Sequence, residues 1–313
     1  MILDVHHVTT YRYGKPVRGV VQSHRLTPAR FEGQRVLGWD VAVSDGIAGG
    51  AFRDGAGDWV QSHSAHGPLS EITVTVTGRV ETVDLSGVLR GHRERIPAEA
   101  YLRETGPTRA DTALTDLGRT ALSGAGDALD GAHRLSAAVA AAIAYRPGTT
   151  HAHTTAAEAL SLGEGVCQDH AHALIAAARA QDIPARYVCG YLAGAPGQVQ
   201  VQEGGDGKAG GAAQSQSQSQ SAGPADAEST AAADGEAPAE GEAYEAAHAW
   251  AELWIDRLGW VGFDAANECC PDARYIRLGS GLDAQGAAPI RGIARGDGRE
   301  RLEVSVIVQA AQQ

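Results

Sequence analysis

Residues 162–192 read LGEGVCQDHAHALIAAARAQDIPARYVCGYL and spell a turn, a helix and a strand in succession. The Gly163-Glu164-Gly165 turn delivers Cys167 to a run in which Ala171, Leu174, Ile175 and Ala178 recur at i, i+3, i+4 and i+7, the apolar stripe of a helix. That helix is predicted to run on to Ile183, because the residue before a proline is pushed out of the helical region. Cys167 then falls in its first turn. Upstream, Thr155 and Glu158 have the spacing of a capping box, which predicts a short helix through AAEALSL closing at Gly163. Downstream, Tyr187, Cys189 and Tyr191 alternate on a predicted strand, where Cys189 reads as core.

A cysteine by itself is commonly a small buried hydrophobe. At a helix start the reading changes, because the unpaired N–H groups and the positive end of the helix dipole favour an anion, and the thiolate is the nucleophilic form. The same N–H groups suit a developing oxyanion. Such a nucleophile needs a base, and the base needs a partner that orients it. Residues 245–268, EAAHAWAELWIDRLGWVGFDAANE, supply both. As a strand this stretch puts His248, Trp250, Glu252 and Trp254 on one face and Ala249, Ala251, Leu253 and Ile255 on the other. A turn near Arg257 to Gly259 folds it into a hairpin whose second strand carries Asp264 beside His248. Cys, His and Asp in that order make a complete catalytic set.

The blocks GVCQDHAHALIAAARAQDIPARYVCGYL and AHAWAELWIDRLGWVGFDAAN resemble the bacterial transglutaminase-like family, with its motifs G-V-C-x-D, I-P-A-R-Y-V-x-G-Y, H-A-W and G-W-x-x-F-D. The opening HHVTTYRYGKPVRGVVQSHRLTPAR resembles the β-rich region at the N-terminus of those proteins, and YRPGTT their helix end before the nucleophile. The resemblance implies an α+β protein with a papain-like core, a nucleophile helix packed on an antiparallel sheet. It implies Cys167 as nucleophile, His248 as general base and acid, and Asp264 as orienting carboxylate. The substrate would be a peptide or protein carboxamide, taken to water or to an amine through a thioester, and no cofactor or metal is called for. Tyr191 and Trp250 are candidate substrate-binding residues, with core filling as the alternative for each. This chain departs from the pattern at His170, where Phe is usual, at Ala247, where Ser commonly precedes the histidine, and at Ala265-Ala266, where the family tends to have Pro-Thr. All three changes are expected to bear on the substrate pocket.

Around these motifs the chain divides by pattern. Residues 1–100 alternate β-branched or aromatic residues with polar ones, as in VHHVTTYRY, VLGWDVAVS and LSEITVTVTGRVETV, and read as a β-rich first domain. Residues 101–313 read as the catalytic domain, opening with helices through Leu114, Leu117 and Ala121 and then through residues 135–145. Within it, residues 195–245 are Gly, Ala, Ser and Gln with few large apolar side chains, which predicts a disordered insert. That insert holds nine acids against Lys208, a net of −8, so only −4 of the chain's −12 lies elsewhere. The acidic balance argues against a nucleic-acid partner. Met1 opens on MILDVHHVTTYRY without a basic and then apolar leader, and the longest apolar run, residues 137–144, is far short of the ~20 residues that span a bilayer, so no membrane is expected and a cytoplasmic chain is predicted.

Two rival readings use the same residues. His151, His153, His170, His172 and Cys167 are numerous enough for a metal site, but His172 points about 200° round the helix from His170, so the set does not converge. A peptide-binding scaffold of the same fold, without turnover, is the alternative from another class. Cys269-Cys270 lack a matching second pair and read as loop or strand-end residues.

Overall fold

The alternating N-terminal stretches form long antiparallel strands in the computed structural model, which describes residues 1–194, 198–203, 248–296 and 299–311. β1 (Ile2–His24) pairs along most of β4 (Trp59–Thr82), while β2 (Gln34–Val43) and β3 (Gly46–Arg53) take opposite ends of β4. The register sets Leu3 against Val80 and His7 against Val76, so one face is buried and the other solvated. Four helices and two short strands follow. Asp111 caps α1 (Thr112–Leu122) through the Leu114 N–H at 2.8 Å, and Asp127 caps α2 (Ala128–Ala142) through the Asp130 N–H at 2.8 Å. β5 (Ala144–Tyr145) pairs in parallel with β6 (Glu164–Gly165), and between them lies α3 (Ala156–Leu162). The expected capping box at Thr155 and Glu158 is formed, and Gly163 closes α3 at φ 71°.

α4 (Cys167–Arg179) is the centre of the molecule, and all 13 of its residues are buried. The expected apolar stripe therefore understates its burial, because α1, α2 and α3 cover the side turned away from the sheet. The helix also stops four residues short of Ile183. Asp182 takes a left-handed conformation at φ 59°, the Ile183 N–H turns back to Ala178 O at 3.0 Å, and Arg179 anchors the end by donating to Ala185 O and Leu282 O. Beneath α4 lies an antiparallel sheet in the order β10-β9-β7-β11, built from β7 (Ala185–Leu192), β9 (His248–Ile255), β10 (Gly259–Phe263) and β11 (Tyr275–Gly281). An antiparallel sheet under one central helix, behind a β-rich first region, is the α+β architecture expected.

The chain after β11 does not stay with the catalytic sheet. Following α5 (Ala284–Ala287), β12 (Ile290–Ala294) and β13 (Glu300–Ala310) return to pair with β1, and β8 (Gln198–Glu203) pairs with β13. The first sheet is thus finished by strands from beyond residue 100, where the pattern change had suggested a boundary. Of the expected insert at residues 195–245, the strand β8 belongs to this sheet and the remainder lies outside the described residues. No helix among the described residues is long and apolar enough to cross a membrane.

A buried ionic chain ties the two sheets together. Arg277 on β11 donates to Glu252 at 2.9 Å and to Asp58 of the first region at 2.8 Å. Arg186 on β7 donates to the second oxygen of Glu252 at 2.6 Å, pairs with Glu94 and lies 4.0 Å from the Trp260 ring centroid. Burial would push the Glu252 carboxyl up, but the two guanidinium groups outweigh it and hold the pKa down at about 2. Opposite charges alternate along the chain, so each desolvated ion has a partner.

Candidate active site

Local sequence explains where Cys167 stands. Gly165 precedes it because a side chain there would come within 2.7 Å of Asp169, whose carboxylate folds back over the helix start. Asp169 Oδ2 accepts the Val166 N–H at 2.8 Å and the Thr150 hydroxyl at 2.7 Å, pinning the turn to the YRPGTT segment. Burial raises the pKa of this carboxyl against those hydrogen bonds. His170 completes the cradle, with Nδ1 2.9 Å from Val166 O and Nε2 2.8 Å from Ile143 O. It is buried, and both ring nitrogens lie against main-chain carbonyls, so it braces the turn that carries Cys167.

The hairpin forms as read, with Arg257 at φ 69° and Gly259 at φ 78° making the turn and Ile255 facing Gly259 in register. Phe263 faces Ala251, so Asp264, one residue beyond β10, is level with Trp250 and reaches His248 along the diagonal. His248 Nε2 lies 2.6 Å from Asp264 Oδ2, and Cys167 at the start of α4 is close enough to act on the ring's protonation. Burial would lower the pKa of His248, but the hydrogen bonds and charges of Asp264 and Cys167 outweigh it and lift the pKa to about 10. Asp264 is buried too, yet its bond to His248 and the donors around it keep its pKa below the ordinary value. The structure therefore brings the three residues together, with His248 bonded to Asp264 and its protonation coupled to Cys167.

The two candidate substrate residues part company. Trp250 is beside His248, its ring 6.2 Å from the imidazole at 28°, and it lines a cavity of about 40 Å³ with Tyr275 and Pro271. Tyr191 is not. It is fully buried at the seam with the first sheet, its hydroxyl 2.8 Å from His7 Nδ1 and its ring among Leu3, Val5 and Ile276. Alternation along β7 could not reveal that the face beyond α4 is covered by β1.

Two residues at the site carry no motif signal. Asn267 Nδ2 and the Tyr275 hydroxyl each donate to Asp264 Oδ2 at 2.7 Å. Asn267 had a local clue, a side chain three residues past an aspartate in a turn, and its N–H also donates to Asp264 Oδ1 at 3.2 Å. Tyr275 had none, since it arrives through the pairing of β11 with β7. Cys189 is buried opposite Ala249, and Cys269 and Cys270 lie on the segment between β10 and β11. Among the described residues no three His, Cys, Asp or Glu side chains gather as metal ligands. His172 turns instead to accept the Ala284 N–H at 3.1 Å.

Comparison with known families bears on the fold of both regions. The bacterial transglutaminase-like N-terminal region matches residues 3–81, and the transglutaminase-like superfamily matches residues 115–265, a span that ends just past Asp264. The chain has a transglutaminase-like core behind a bacterial transglutaminase-like N-terminal region. An uncharacterized protein of Mycobacterium leprae is 28% identical over 313 residues, 97% of each chain. One from Mycobacterium bovis is 33% identical over 153 residues, which is 48% of this chain and 37% of its own length. The crystal structure of a "putative cysteine protease" from Cytophaga hutchinsonii superimposes with a TM-score of 0.63 over 100% of this chain and 92% of that one. At 19% identity that likeness concerns the fold. The transglutaminase-like core places the chain in a superfamily that includes cysteine-dependent enzymes.

Proposed function

We propose that this protein is a cysteine-dependent acyltransferase acting on carboxamide or peptide bonds, with Cys167, His248 and Asp264 as its triad. The observation that supports the reading is the His248–Asp264 pair, joined at 2.6 Å, whose histidine protonation is coupled to Cys167 at the start of a buried helix. Cys167 sulfur attacks the carbonyl carbon, the C–N bond breaks, and the amine leaves with the proton held by His248. Water or a second amine, deprotonated by His248, then attacks the thioester and frees the sulfur. Water gives a peptidase or amidase. An amine gives a transglutaminase. The substrate is a peptide or protein, and the location is the cytosol, in keeping with four cysteines that are all free thiols.

A scaffold of the same fold without turnover is the alternative. An electrophilic mimic of a peptide amide separates the two. Stoichiometric attachment at Cys167, lost in His248→Ala, is expected of the enzyme. An unlabelled Cys167 in the folded wild-type protein would put the scaffold reading first.

A further inference from the structure

Asp264 Oδ2 is a crowded atom. It receives His248 Nε2 at 2.6 Å, Asn267 Nδ2 at 2.7 Å and the Tyr275 hydroxyl at 2.7 Å. A carboxylate oxygen divides its negative charge among its donors, so whatever Tyr275 and Asn267 draw is withheld from the imidazolium. Tyr275 is built for this position. Its ring packs 5.7 Å from His248 and 5.5 Å from Trp250, and its hydroxyl lies 3.3 Å from Cys269 Sγ. Burial and the charge of Asp264 hold the phenol well above the ordinary tyrosine range, so it remains a donor wherever Asp264 is ionised.

Resting on the acyl-transfer reading, we infer that Tyr275 is a positioning residue which, with Asn267, fixes the Asp264 carboxylate and limits how strongly it holds the proton of His248. The titratable groups facing this cluster are few. From α4 comes Cys167, from β9 His248, from the turn after β10 Asp264 and Cys269, and from β11 Tyr275 itself. Outside them, the Asp272–Arg274 pair acts on Cys269 and Tyr275, and the paired Glu252 and Arg277 share a cavity with Tyr275. Without the phenol hydroxyl, Oδ2 faces His248 with one donor fewer. The imidazolium is then favoured and persists to higher pH.

Alkylation of the full chain by iodoacetate tests this, because the reagent's carboxylate is drawn to the imidazolium and its rate at Cys167 falls as His248 loses its proton. In Tyr275→Phe, which keeps the ring, this alkaline limb is expected to move up by about one pH unit while the melting temperature is nearly kept. Asn267→Ala, at an exposed position, is expected to move the limb the same way and guards against a folding defect in the first variant. A limb that stays in place in both variants while the wild type shows it would overturn the proposal and leave the triad standing. A wild-type profile without a limb that depends on His248 would overturn both.

Discussion

His248 Nε2 stands 2.6 Å from Asp264 Oδ2, where burial works against the charged form of each. The pair lifts the histidine and depresses the carboxyl, so each keeps the other ionised. Asp264→Asn removes that charge while preserving the shape. The His248 proton is then expected to leave at lower pH, falling from about 10 toward the free value of about 6.5, as followed by NMR of the ring. Turnover is expected to fall on the order of 10²–10⁴-fold, less than in Cys167→Ser or His248→Ala. An aspartate variant more damaged than the cysteine variant would contradict the assigned roles.

The four thiols are expected to react very unequally. Burial pushes Cys270 up to about 11 and raises Cys269 as well, while Cys189 is closed within the core. Cys167 alone faces the imidazolium. At pH 6 and low reagent excess, iodoacetamide is expected to modify Cys167 first, and His248→Ala to remove that preference. Peptide mapping by mass spectrometry reads the order directly, and prior modification of Cys269 or Cys270 would speak against the site.

Glu252→Gln tests the ionic chain between the sheets. The variant leaves Arg186 and Arg277 buried without their shared carboxylate, which is expected to cost about 3–5 kcal/mol in chemical denaturation. The pH dependence has a definite sign. The folded pKa is depressed, so the charge contribution of Glu252 is complete above about 4.5 and is lost as pH falls toward about 2. The gap between wild type and variant should therefore narrow across that window. A gap independent of pH would mean that shape, not charge, is what Glu252 supplies.

Legibility in the sequence followed the range of the interaction. Helix starts, the Thr155–Glu158 box and the turn that sets Asp264 beside His248 are decided within a few residues, and each could be read. The return of β12 and β13 to β1 could not, because pairing across nearly 300 residues leaves no local periodicity to mark it. Tyr191 is legible as a strand residue, but its surroundings depend on the first sheet closing over it. Tyr275 and Glu252 acquire their roles in the same way, from partners brought by register and not by spacing.

Gly190 makes the last prediction, since it faces His248 across the β7–β9 ladder. A methyl group there would lie 2.1 Å from Ile276 O and 2.6 Å from the Trp250 ring. The first contact is main chain within the β7–β11 pairing and cannot turn aside, and the second is the ring stacked on His248. Gly190→Ala must therefore spread two ladders or push Trp250 into the imidazole. A loss of about 1–3 kcal/mol is expected from overpacking. Alkylation at Cys167 should slow even at temperatures where the variant is fully folded, because the displaced ring is the one beside the base. Gly106→Ala is the control, as a methyl group there meets nothing within 4 Å. Equal melting temperatures for the two variants would show that the sheet beneath the active site yields more easily than its packing implies.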